Sequence, residues 1–156
     1  MSSDTGTFAR KLVAMPTFAQ ETREVVSQAH ATAKAAGAEA VEIEHLLLAI
    51  METDPSGDAA ACLASAGLTV GAIRPLADTP SRAEAGGHME FAALTKIAVQ
   101  LAGTVADAKR AAEITTTHLL WGVVQAANDR VAALLVPAGT DVERFRDSVF
   151  SLVDIA

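Results

Sequence analysis

The apolar positions of this chain fall at helical steps. Between about Ala92 and Lys109, Leu94, Ile97, Leu101, Val105 and Ala108 recur three or four residues apart, which predicts one buried face of a helix. Between about Ala19 and Ala36, smaller residues keep the same spacing: Thr22, Val26, Ala29, Ala33 and Ala36. Neither stretch contains proline. A second, more apolar helix is expected after each, opening on His45-Leu46-Leu47 and His118-Leu119-Leu120. Thr116 is the expected N-cap of the later one, because its hydroxyl can accept from a free first-turn amide. Ile43 stands at the matching place in the earlier helix, so that end is expected to be less well capped. Gly67 and Gly139 follow helical patterns and suit left-handed C-terminal positions, where a residue without Cβ avoids a steric cost.

These likenesses come from an internal repeat. Sliding the chain by 73 positions lays Phe18 on Phe91, Thr22 on Thr95, Val26 on Val99, Ala29 on Ala102, Ala33 on Ala106, and His45-Leu46-Leu47 on His118-Leu119-Leu120. Arg23 falls on Lys96, Val41 on Ile114 and Ile50 on Val123; after one deletion, Gly67 to Val70 meet Gly139 to Val142. Each unit reads as helix, loop, helix, short helix, turn, helix. The expected fold is therefore all-α: a pseudo-twofold tandem of two four-helix units in a single domain over residues 15–156. Repeat one covers about 18–76 and repeat two about 91–153, joined by a linker over about 77–90 in which Pro80, Ser81, Gly86 and Gly87 cluster. Residues 1–14 have no counterpart in the repeat and are expected to be a flexible extension, with a short docking helix through Phe8, Leu12 and Val13 as the alternative.

Composition narrows the function. The 156 residues are 51% hydrophobic but only 4% aromatic, too apolar for disorder and too Ala-rich for an aromatic-cored sandwich. The net charge is −7 and no basic run occurs, which disfavours nucleic acid as a partner. Cys62 stands alone, with no disulfide partner and no zinc-type Cys/His spacing, and fits a reducing compartment. No stretch has the length of a membrane span and no signal-peptide core is present, so a soluble cytoplasmic protein without a membrane partner is expected. There is no GxxxxGK[ST] loop for nucleotide hydrolysis, and no cofactor or metal is expected.

Two copies of a Phe-led helix, an [VI]xxxHLL segment and a Gly turn resemble the N-terminal domain of the Clp/Hsp100 unfoldases, particularly the ClpC and ClpA type. The resemblance runs from Phe18 to about Val153. It implies an eight-helix bundle that receives substrates and adaptor proteins for an ATPase ring, here expected as a free-standing domain, with an excised piece of a larger unfoldase as the alternative. In such domains, the Glu before the repeat His is associated with phosphoarginine recognition; Glu44 matches, whereas the second copy has Thr117. The resemblance also implies an adaptor and cyclic-peptide (cyclomarin-type) antibiotic surface. Its positions here are Met15, Phe18, Arg23, Val26, His30, Phe91, Lys96 and Gln100, with Phe18 and Phe91 approaching each other across the pseudo-twofold axis. Met15, His30 and Gln100 depart from the family's Phe, Gln and Glu.

Other readings of these residues stand beside it. Equivalent placement of His45 and His118 at two helix starts points to a repeated structural hydrogen bond instead of a ligand or base. A catalytic role would need one of them to converge with Glu44 or Glu113. Glu44 could equally serve the helix dipole. Phe18 and Phe91 could be core residues locking helix ends. His30 and His88 are expected to face solvent, Trp121 to be a core residue, and Cys62 to be buried and unreactive. The expected function is a non-enzymatic peptide- or degron-binding module acting as a decoy in the Clp system. The alternatives are an adaptor and a regulator that docks on a Clp ATPase ring.

Overall fold

The computed structural model describes residues 17–77 and 90–155, so the expected N-terminal extension, the linker over 78–89, Met15 and His88 lie outside the described residues. Repeat one folds as α1 (Gln20–Ala35), α2 (Ile43–Thr53), α3 (Asp58–Ser65) and α4 (Val70–Ala77). Repeat two folds as α5 (Ala93–Ala108), α6 (Thr116–Ala126), α7 (Asn128–Leu135) and α8 (Val142–Ile155). The expected pair of four-helix units is thus the observed architecture.

Helix ends repeat as faithfully as helix faces. Bonds from Ala38 N–H to Ala33 O and from Ala111 N–H to Ala106 O, both 2.9 Å, close α1 and α5. Equivalent bonds from Leu68 to Leu63 and from Thr140 to Leu135, 3.0 and 3.1 Å, close α3 and α7, and so fix the one-residue deletion before this point. Gly67 and Gly139 adopt the expected positive φ, 83° and 76°. Gly37 does the same at 71°, but its repeat mate is Arg110, held at φ 57°. A Cβ in that region costs about 1–2 kcal/mol, which the second copy carries and the first does not.

Sequence periodicity does not show the four two-residue strands, which are too short for any alternation. β1 (Thr17–Phe18) pairs in parallel with β4 (Glu113–Ile114), and β2 (Ala40–Val41) with β3 (Glu90–Phe91). Each pair takes one strand from each repeat, so the two copies are stitched together twice by the same device. Ala19 N–H reaches Ile114 O at 3.1 Å and Ala92 N–H reaches Val41 O at 3.0 Å. Thr22 Oγ1 adds a buried bond of 2.8 Å to Ile114 O, whereas its mate Thr95 Oγ1 is buried with no partner among the described residues.

The most buried helices are α2 and α6, the HLL helices, with Leu46, Leu47, Leu48, Ile50, Leu119, Leu120, Val123 and Val124 all fully enclosed. α1 and α5 pack on them through small residues, and this corrects the expected faces. On α5 the enclosed positions are Thr95, Ala98, Ala102, Val105 and Ala106, while Leu94 and Leu101 are half-buried, Ala108 is exposed and Ile97 is 43% exposed. On α1 they are Thr22, Val25, Ala29, Thr32 and Ala33, with Val26 at the flank. The cause is close helix approach. A Cβ on Gly122 of α6 would lie 2.1 Å from the Ala98 carbonyl oxygen of α5. In repeat one the equivalent positions are Ala49 and Val25, so the second copy carries less side-chain volume on both helices. Small residues take the seam, and the larger ones of the sequence pattern are turned to its edge.

Candidate functional site

Two aromatic residues, Phe18 and Phe91, stand where α1 and α5 begin. Phe18 ends β1 and is half-buried; its carbonyl accepts a bond of 3.0 Å from Arg23 Nη1, one turn into α1. Phe91 ends β3, also half-buried, and its ring lies against that of His30 with centroids 5.2 Å apart and planes at 32°. That contact sets the start of α5 beside the middle of α1. His30 is therefore half-buried and packed, not solvent-facing as expected. Its repeat mate is Gly103, which offers no ring to Phe18. Arg23, Lys96 and Gln100 are exposed and Val26 is half-buried. No ring contact joins Phe18 to Phe91 among the described residues; each ring instead sits at the strand end that leads into its own helix. Ile97, which the helical pattern assigned to the core, adds exposed apolar surface one residue beyond Lys96.

The two repeat histidines play the same structural part. In each, Nδ1 accepts the backbone N–H of the residue three before it: Glu42 to His45 at 2.8 Å and Thr115 to His118 at 3.0 Å. The side chains of Glu42 and Thr115 accept in return from the histidine backbone, completing a capping box at both helices. This corrects the expected caps. The N-cap of α6 is Thr115, one residue before Thr116, whose hydroxyl instead donates to Asp54 Oδ2 at 3.1 Å. The first copy is capped just as fully, by Glu42. His45 Nε2 continues to Ala77 O at 2.8 Å and so ties α2 to the end of α4. His118 is fully enclosed with Nε2 unpartnered among the described residues, and burial pushes its pKa below the ordinary imidazole value.

Neither imidazole ring pairs with a carboxylate among the described residues. Glu113 is exposed on β4, and Glu44 turns to repeat two, where Arg130 of α7 reaches it through Nη2 while holding Glu42 Oε1 through Nη1 at 3.0 Å. Burial alone would lower the Arg130 pKa, but the two carboxylates outweigh it and hold the guanidinium above its ordinary value. The carboxylate that the sequence assigned to guanidinium recognition thus already holds a guanidinium of its own chain. Glu44 is only 14% exposed, so a ligand would have to displace Arg130 to use it. In the sequence, Arg130 gives no sign of this role: it lies 86 residues from Glu44, and only the packing of α7 against the start of α2 unites them.

Cys62 and Trp121 are half-buried, not enclosed; the Trp121 ring rests on Phe150 of α8 at 6.3 Å. No group of three His, Cys, Asp or Glu side chains among the described residues is placed to hold a metal ion, and no single described helix is long and apolar enough to cross a membrane.

Comparison with known proteins accords with this geometry. Residues 17–84 match the family model described as the Clp repeat (R) N-terminal domain. No curated protein matches the chain. Among solved structures, the Hsp104 N-terminal domain from Candida albicans is 14% identical with a TM-score of 0.71, over 87% of this chain and 91% of that one. The N-terminal domain of the ClpD chaperone from Arabidopsis thaliana is 19% identical with a TM-score of 0.67, over 87% and 94%. A ClpV N-domain in complex with a VipB peptide is 22% identical with a TM-score of 0.63, over 92% and 89%.

Proposed function

We propose that this chain, whose fold is that of the Clp/Hsp100 N-terminal domains, is a non-enzymatic peptide- and degron-binding module of the ClpC type that acts as a decoy in cytoplasmic Clp proteolysis. The observation that carries the reading is the α1/α5 face. There Phe18 and Phe91 lie half-buried at the two strand ends, with exposed Arg23, Lys96 and Ile97 around them. Rigid aromatic surface bordered by cations suits a peptide that offers apolar side chains and backbone carbonyls. That a ClpV N-domain holds a VipB peptide supports peptide binding by this fold. The 156 residues contain no phosphate-binding loop, so by themselves they hold what they bind without unfolding it. A module of that kind lowers the free concentration of substrates, adaptors or cyclomarin-type cyclic peptides in proportion to its abundance and affinity. Phosphoarginine is the weaker ligand class here, because Arg130 occupies Glu44.

Adding the purified chain to a ClpC-type unfoldase and its protease separates the decoy from a ring-docking regulator or an adaptor. A decoy slows degradation of a model substrate, is overcome by excess substrate, and leaves basal ATPase activity unchanged. Altered basal ATPase activity assigns it to ring docking, and accelerated degradation assigns it to delivery.

A further inference from the structure

α3 and α8 come from opposite repeats and leave between them a cleft of about 400 Å³ that the α1/α5 face does not include. Its floor is apolar, with Phe145 buried, Cys62 and Leu152 half-buried and Ala61 and Ala66 on the α3 side, while Asp58, Ser65 and Thr140 add polar lining from outside α8. Arg144 and Ser148 stand one turn apart on α8 at its polar edge. Arg23, Arg74 and Arg130 each spend their guanidinium on a partner, Phe18 O, Glu52 and the Glu42/Glu44 pair, and that of Arg146 lies over the Phe150 ring; those of Arg110 and Arg144 make no hydrogen bond or ion pair among the described residues, and of these two Arg144 lines the cleft. On a chain of net charge −7, an uncommitted guanidinium beside an apolar recess is a local attractor for a carboxylate. Ser148 Oγ donates to the Arg144 carbonyl at 3.0 Å, which leaves its oxygen able to accept an N–H. The volume lies at the lower end of the range for small-ligand sites, about 300–1,000 Å³.

We propose that this cleft binds the C-terminus of a peptide ending in a large apolar residue: the terminal carboxylate pairs with Arg144, the last side chain packs on Phe145, Cys62 and Leu152, and the last backbone N–H donates to Ser148 Oγ. A fatty acid shares the apolar body and the carboxylate but has no N–H for Ser148. This site is independent of the peptide face proposed above.

Cys62 is the sole cysteine of the chain and lies in the wall, so its reaction with a disulfide reagent reports occupancy. Burial pushes the thiol pKa up, so the reaction is followed at alkaline pH, where thiolate forms. Saturating N-acetyl-Gly-Leu-Phe with a free carboxylate should slow labelling about fivefold or more. Its C-terminal amide should need about tenfold more peptide for the same protection, the usual worth of a hydrogen bond to a charged group. Arg144→Gln, a change at an exposed position, should erase the difference between acid and amide. Phe91→Ala should leave protection intact, which separates this site from the α1/α5 face. The proposal is overturned by no protection, by equal protection from acid and amide, by a preference that survives Arg144→Gln, or by decanoate protecting better than the peptide.

Discussion

Replacing Gly122 by alanine should destabilise the protein, although alanine is the better helix former. The added Cβ would lie 2.1 Å from the Ala98 carbonyl oxygen and 3.1 Å from the Ala102 nitrogen, both backbone atoms of α5. No rotamer change can relieve a clash with backbone, so α5 and α6 must separate by roughly 1 Å along this seam. Overpacking of this kind costs about 1–3 kcal/mol, and rigid backbone places this case at the upper end. The helix-propensity gain of alanine over glycine, about 1 kcal/mol, offsets part of it. The net expectation is a loss of about 2 kcal/mol, or roughly 4–8 °C in melting temperature for a domain of this size. Urea unfolding followed by far-ultraviolet circular dichroism measures it without relying on Trp121, the neighbouring residue. Ala49→Gly in repeat one is the control. There the seam already accommodates a Cβ, so that variant should lose only about 1 kcal/mol, mainly helix propensity. A Gly122→Ala protein as stable as the parent, or more stable, would refute the claim that the α5/α6 seam has no room for a Cβ at this position.

Gly103→Ala should have the opposite sign. Its Cβ would meet Ile114 Cδ1 at an ordinary 3.6 Å in the interior of α5, so a rise of about 0.5–1 kcal/mol is expected in the same urea assay. Arg130→Ala should cost about 1–2 kcal/mol, because it leaves the largely enclosed Glu44 without its cation; the figure is held down by the partial exposure of Arg130 itself, and unfolding at two salt concentrations checks it. In the same variant, affinity for free phosphoarginine should rise, as calorimetry would show, and unchanged weak binding would remove Glu44 from consideration. The depressed His118 pKa gives a pH dependence: the unfolded chain binds the proton more readily than the folded one. The stability contributed is thus complete above the ordinary imidazole value and is lost as pH falls below it toward the folded value. Urea midpoints at pH 7.5 and 5.5 should show that loss, and it should shrink in His118→Gln.

The repeat was the most legible feature because it is written in many residues at once, from Phe18/Phe91 to Gly67/Gly139. The shared role of His45 and His118 followed from their equivalence alone, and the structure supplies the bond: Nδ1 accepting the N-cap amide. Finer placement was less legible. The core stripe through Leu94, Ile97 and Leu101 follows from hydrophobicity, but the seam at Gly122 selects for smallness, and Ile97 ends at the surface. The cap at Thr115 and the strands at 17–18 and 90–91 depend on one or two residues, below the reach of periodicity. Arg130 and the α3/α8 cleft were invisible for a different reason: each joins residues of separate repeats, and nothing local to either segment marks the contact.

Calorimetric titration of the purified chain with a cyclomarin-type cyclic peptide, repeated on Phe91→Ala and Lys96→Ala, tests the central claim most directly. Saturable binding to the parent, weakened about tenfold or more by Phe91→Ala while the variant keeps its helical spectrum, is the predicted result. No heat with the parent, or binding indifferent to both substitutions, would contradict the assignment of the α1/α5 face as the receptor surface.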